Sequence, residues 1–386
     1  MLSRNIGACF SSTSGNAGSF ASGCACLRQP LPLKRNGDAI NVLRIFALVL
    51  WILAAGQASA ATIGIAGPLS GPLAAIGTQI RAGAEMAADG KAETVFADEL
   101  CTEDGGKAAA ETFIAAKASV VTGFACTESL LAALPLLKAA QIPVISPVIR
   151  TNSLTDQKAK TGFLFYRLAP RGDAEAKATV RILSEKWRTA LFAIADDGTV
   201  HARDLAETFR LGMEEAGLKP VFTDTFRPLL GNQIGMAGRM RKSGATHLFM
   251  AGDAGDVAIF ARDAAGLGYK PVIAGGEALR AAPGEVELAK GILTVAPLEW
   301  AGLADADILA SLAAKSIAPD GYVLAAHAAM QVAIAAAGSP EGPLAALATT
   351  AFATSVGEVS FDEKGELGRE LYRLFEWQNQ GFAEIP

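Results

Sequence analysis

Beyond residue 61 the chain alternates short apolar runs with stretches whose apolar positions recur every three or four residues. Thr62–Ala66 reads as a short buried strand ending in the loop Gly67-Pro-Leu-Ser-Gly-Pro72. Ile76, Ile80, Ala84 and Ala87 then mark one face of an amphipathic helix. Val95–Ala97 precedes a helix over Gly106–Ala116, Ser119–Gly123 precedes Glu128–Ala140, and Pro143–Ser146 gives another strand. After residue 170 the rhythm resumes. Helices Asp173–Trp187, Arg203–Ala216, Gln233–Lys242 and Asp256–Leu267 lead to strands Ala190–Ala195, Pro220–Phe226, Thr246–Met250 and Pro271–Ala274. Such alternation predicts an α/β chain whose parallel sheets are covered on both faces by helices.

Three extended segments interrupt this rhythm. Phe163–Pro170 separates the two series, Ile292–Pro297 follows the second, and Gly357–Asp362 precedes a last strand at Leu371–Trp377. Helical patterns at Asp305–Lys315 and Asp320–Ala337 lie between the second and third. Read as crossings, the three segments make two lobes, each discontinuous in sequence: 62–168 with 297–356, and 169–296 with 357–386. Residues 1–61 are then a leader and signal peptide.

The apolar run Ile45–Ala55 follows Arg44 and precedes Gly56-Gln-Ala-Ser-Ala60. A basic flank, a short apolar core and an A-x-A ending make a secretory signal, with cleavage expected after Ala60 or Ala61. Eleven residues fall well short of the roughly 20 that a membrane-spanning helix needs. No cysteine follows the cut, so lipoprotein attachment is not indicated. Residues 1–40 are rich in Ser, Gly and Ala and lack periodicity; a true start near Val42 or Leu43 accounts for them, with a long unstructured leader as the alternative. Of the five cysteines, Cys9, Cys24 and Cys26 belong to the leader. Cys101 and Cys126 remain, and two cysteines in an exported chain pair as a structural disulfide.

Composition removes other classes. A 386-residue chain with 51 % hydrophobic and 19 % charged residues buries substantial cores, and a net charge of −5 without a Lys/Arg block gives no case for nucleic acid. Gly64-Ile-Ala-Gly67 is not a dinucleotide fingerprint. His201, His247 and His327 show no metal-ligand spacing. Gly67-Pro-Leu-Ser-Gly71 is not a nucleophile elbow. The chain therefore reads as a binding protein without cofactor or metal, and a secreted Rossmann-type enzyme is the lesser alternative.

Several motifs, in order and spacing, resemble the leucine/isoleucine/valine-binding proteins, the type I periplasmic solute-binding components of ABC transporters. They are Ile63–Pro72, Gly77 and Gly83-Ala-Glu85, the Cys101/Cys126 spacing, Ile142-Pro-Val-Ile-Ser-Pro147, Ala264–Glu277, and Phe361-Asp-Glu-Lys-Gly-Glu-Leu367. The resemblance covers nearly all of the exported part. It implies a type I periplasmic-binding fold, with two Rossmann-like lobes joined by a three-segment hinge. It also implies a monomer in the periplasm that closes over a small molecule, an amino acid or related amine or carboxylate, and delivers it to an inner-membrane permease. A periplasmic sensor presenting its ligand to a receptor would use the same lobes.

The same resemblance nominates ligand residues. Thr127, just after the second cysteine, takes the place of a hydroxyl that meets a ligand carboxylate; a plain helix N-cap is the alternative. Val148 offers its backbone carbonyl. Arg150 stands where the family has a neutral hydroxyl, and its guanidinium fork suits a carboxylate as readily as it suits solvent. Glu277 aligns with the glutamate that receives a ligand ammonium, and His201 with a common tyrosine. Ile76 occupies a position that is often aromatic. Phe249 and Met250, near the end of a strand that faces the cleft, read as core, and Asp253 follows them.

Overall fold

The apolar runs sort into two sheets. The structure is a computed structural model that describes residues 60–281, 284–378 and 380–386. The leader, including Ile45–Ala55, Cys9, Cys24 and Cys26, lies outside the described residues. The first sheet is all parallel, built from β1 (Thr62–Gly67), β2 (Glu93–Asp98), β3 (Val120–Gly123), β4 (Val144–Ser146) and β5 (Phe165–Arg167) in the order β2-β1-β3-β4-β5. The chain continues through β6 (Phe192–Asp196), β7 (Phe222–Thr225), β8 (His247–Ala251), β9 (Val272–Gly275) and β10 (Leu293–Pro297). It then makes the hairpin β11 (Phe352–Thr354) and β12 (Gly357–Val359) and ends with β13 (Tyr372–Gln378) and β14 (Gly381–Ile385). The second sheet runs β14-β13-β10-β9-β8-β6-β7, parallel from β7 to β10 and antiparallel at β13 and β14.

Both faces of each sheet are covered, which is why the strands read as continuous apolar runs. Val120 and Ile145 join Ile63 and Ile65 in one core, while their neighbours Val121 and Val144 face a second core with Phe113 and Leu134. The other sheet divides in the same way: Leu248 and Met250 pack on one side, Phe249 and Ala251 on the other. Phe249 and Met250 are fully buried, as core residues should be. The helices Ala74–Ala88 and Val323–Ala337 pack closely because Gly83 has no side chain; a Cβ there would lie 2.0 Å from the carbonyl oxygen of Val323.

Three segments connect the two sheets. Phe165–Arg167 is the edge strand of the first sheet, and the chain leaves it after Arg167. Leu293–Pro297 belongs wholly to the second sheet, and Leu298 then pairs with Leu371 through an N–H···O bond of 2.8 Å. The hairpin β11–β12 packs on the first sheet's core through Val356, Val359 and Phe361. The third crossing therefore falls beyond Gly357–Asp362, after Leu367, whose backbone bridges Phe361. Burial of Val356, Val359 and Phe361 holds this hairpin to the first sheet.

One buried titratable group in this frame gives a testable pH effect. His327 is only 5 % exposed, and its Nδ1 lies 2.9 Å from the Ser355 hydroxyl. Burial, aided by Lys91, lowers its pKa to about 4. The unfolded chain binds this proton near pH 6.5, so the contribution is fully present above that pH and is lost as pH falls toward 4. Acid denaturation of wild type between these limits should show roughly 3 kcal/mol of lost stability that His327→Gln does not lose. Equal pH slopes in urea melts of the two proteins would refute this.

Candidate functional site

The strand β4 ends in a loop that is pinned at almost every backbone group. The Ser146 hydroxyl accepts from the amides of Val148 (3.2 Å) and Ile149 (3.0 Å) and donates to the Phe124 carbonyl (3.0 Å). The Arg150 carbonyl accepts from the Gly172 amide at 2.7 Å. On either side, the carbonyls of Ile149 (3.4 Å) and Thr151 (2.9 Å) accept from Nη1 of the fully buried Arg167. A loop fixed in this way holds the Arg150 side chain in one direction.

That direction is across to the second sheet. Arg150 Nη1 donates to Glu277 Oε1 at 2.7 Å and Nη2 to Oε2 at 3.5 Å, a forked pair. Nη2 also donates to the Tyr372 hydroxyl, which in turn donates to Glu277 Oε2 at 2.7 Å. Glu277 opens the short 3-10 turn Glu277–Arg280 after β9, and its amide donates to Glu175 Oε1 at 2.7 Å. Glu175 is almost fully buried in the first turn of the helix Ala174–Lys186. Desolvation and the neighbouring Glu277 charge raise its pKa. Burial also raises that of Tyr372, keeping it a protonated donor. Desolvation pulls Arg150 down, but Glu277 more than offsets it, so this guanidinium stays charged.

Beside this ring of polar groups lies a cavity of about 520 Å³, a volume suited to a small molecule. Val148 and Arg150 line it from the first sheet, Arg280 from the second, and Leu298 and Leu371 from the connecting segments; Trp300 and Tyr322 add aromatic walls.

The sequence-nominated residues distribute as follows. Val148 and Arg150 meet at the cavity, and Arg150 links it to Glu277. His201 is largely exposed, with Nε2 3.6 Å from Glu175 Oε2, so it touches the ring only at its edge. Thr127 is not the helix cap: Cys126 occupies that position, and the Thr127 hydroxyl pairs with that of Thr151 at 2.7 Å. Ile76 packs, half-buried, against the first sheet's core. Asp253 caps the helix Ala254–Gly266 by backbone position. Cys101 and Cys126 are disulfide-bonded.

Sequence reasoning passed over Glu175, Tyr372, Arg280, Trp300 and Tyr322. Glu175 looks like an ordinary first-turn acid, and Tyr372 like one more strand residue. No local spacing ties either to Glu277, which lies 102 positions from Glu175 and 95 from Tyr372.

Two sheets joined by three segments, with a cavity lined from both between them, define a two-lobed solute-binding architecture. The sequence profile described as "Periplasmic binding protein" matches residues 60–382, and the chain belongs to that family. It is 24 % identical over 362 residues to a Leu/Ile/Val-binding protein homolog of Brucella melitensis, covering 87 % of this chain and 98 % of that one. Among solved structures it superposes on a putative branched-chain amino acid ABC transporter protein from Rhodospirillum rubrum with a TM-score of 0.68 at 18 % identity, covering 84 % of this chain and 100 % of that one. A solute-binding protein from Rhodopseudomonas palustris, in complex with p-hydroxybenzoic acid, matches with a TM-score of 0.60 at 20 % identity, covering 84 % and 96 %. At these identities the solved structures speak for the fold.

Proposed function

We propose that the chain is the solute-binding component of an ABC importer, exported to the periplasm, which closes over an amino acid or a related small amine or carboxylate and passes it to a membrane permease. The observation that carries this reading is the cleft itself. A cavity bounded by both sheets and by the connecting segments is spanned by the Arg150–Glu277 pair, so its shape depends on how the two halves close. A ligand that touches both halves favours the closed arrangement by its additional contacts there. Val148 and Arg150 are assigned to the ligand directly, Glu277 and Thr127 to the polar groups around it, His201 to the rim and Ile76 to the apolar lip. The fold and the family favour binding over catalysis.

The relatives bracket the ligand broadly, since one name gives Leu/Ile/Val and one complex holds p-hydroxybenzoic acid. A thermal-shift screen against amino acids, amides and small carboxylates, followed by calorimetry, tests the reading. A true ligand present at 100 times its Kd should add about 2.7 kcal/mol of stability. Turnover of a solute, or no shift with any of them, would count against importer binding.

A further inference from the structure

The two guanidiniums that line the cavity are in opposite electrostatic conditions. Arg150 is matched by both oxygens of Glu277, one of which, Oε2, also accepts from the Tyr372 hydroxyl. Arg280 is largely buried, at 18 % side-chain exposure, yet weakly compensated. It donates to the Pro297 carbonyl and lies over the Phe375 ring at 4.0 Å. Its nearest carboxylate, Glu299, is 3.9 Å away and 74 % exposed. Among the described residues, Nε of both Arg280 and Arg150 lacks a partner, so the two differ in the carboxylate each one faces. A cation removed from water without a matching anion is costly, and a ligand carboxylate relieves that cost.

A ligand amine meets the reverse situation. Glu277, the carboxylate beside the cavity, already holds the chain's own cation in a forked geometry. An incoming ammonium must displace that fork and leave Arg150 half-buried and unpaired. Glu299 and Asp320 at the rim are solvated and attract a cation only weakly. Trp300, Tyr322 and Val148 meanwhile offer apolar surface to the body of a ligand.

We propose that the cleft selects small carboxylates without an α-amino group, with Arg280 receiving the carboxylate and Arg150 occupying the side of Glu277 that a ligand ammonium would need. This rests on the solute-binding reading above and narrows its ligand class. Arg150 is then a specificity residue, an internal cation built into the seat.

The test uses the full chain expressed with its own leader, and calorimetry on matched probes. The probes are leucine against 4-methyl-2-oxopentanoate, and phenylalanine against phenylpyruvate, with 4-hydroxybenzoate as an aromatic acid lacking the amine. Wild type should bind at least one amine-free acid about 10-fold more tightly than its amino-acid partner, ~1.4 kcal/mol. Arg280→Gln should weaken that acid about 30-fold or more, the loss expected when one member of a desolvated charge pair is removed, while Arg280→Lys retains part of the affinity. Arg150→Thr frees Glu277 and should close or invert the gap between the paired probes. Preference of wild type for the amino acid in both pairs overturns the proposal, as does binding of none of the three acids. Unchanged discrimination in Arg150→Thr also overturns it, and that variant decides the matter if Arg280→Gln does not fold. The importer reading fails separately, if the wider solute screen finds nothing or finds turnover.

Discussion

Arg167→Ala is expected to destabilise the protein by about 3–5 kcal/mol and to weaken ligand binding at the same time. Arg167 is fully buried, yet every donor group of its guanidinium is used. Nε and Nη2 donate to Glu366 Oε2 and Oε1 at 2.7 and 2.6 Å, and Nη2 also donates to the Thr155 hydroxyl at 2.6 Å. Nη1 holds the carbonyls of Ile149 and Thr151. Deletion leaves those carbonyls short of a donor and costs Glu366 its forked partner. Burial alone would raise the pKa of Glu366, but Arg167 and Arg171 hold it below the ordinary value. Arg171 Nη1 remains 3.0 Å from Glu366 Oε1, so the stability loss should fall toward the lower end of the range. Equilibrium urea denaturation measures the first effect, and calorimetry on any ligand found measures the second. The carbonyls that lose Arg167 flank Arg150, so the Arg150 loop should loosen even where the variant stays folded. A stability loss under ~1 kcal/mol would mean that the buried fork is dispensable.

The contrast between Arg167 and Arg150 explains how much of this molecule was legible in its sequence. Most strands and helices were, because both sheets are covered on both faces and the central strands carry continuous apolar runs. Val120–Gly123 and His247–Ala251 announce themselves in this way. The strand Gly381–Ile385 did not, because at the sheet's outer edge its residues are half-exposed and carry no such run. In the cleft, Val148, Arg150 and Glu277 were named from local motifs. What those motifs could not convey was the partnership between Arg150 and Glu277, 127 positions apart. Arg280 was invisible for a related reason. Its significance lies in poor compensation, a property of its three-dimensional surroundings. Arg167 looked like part of a crossing segment, and only its burial against Glu366 shows that it anchors the Arg150 loop.

Reducing the Cys101–Cys126 bridge is expected to lower stability by roughly 3–4 kcal/mol on the chain-entropy account of a loop this long, the two cysteines being 25 positions apart. The neighbourhood shows where that loss should arise. Glu99, fully buried, accepts from the Ala125 amide at 2.6 Å and pairs with the Ser129 hydroxyl, which also lies 2.9 Å from the Cys126 carbonyl. These bonds tie the same two loops together without the sulfurs. The folded form should therefore keep its shape when the bridge is opened, and the cost falls on the freer unfolded chain. Glu99, Cys101 and Cys126 also converge within 4.8 Å of one another, but paired sulfurs and an engaged carboxylate make this an anchor. The Cys101→Ser/Cys126→Ser protein should melt earlier than the oxidised form and match the reduced one. Well below its melting temperature its ligand affinity should stay within about twofold, ~0.4 kcal/mol, of wild type. If affinity falls in step with stability, the bridge also shapes the cleft; if the melt does not move, Glu99 and Ser129 alone close the loop.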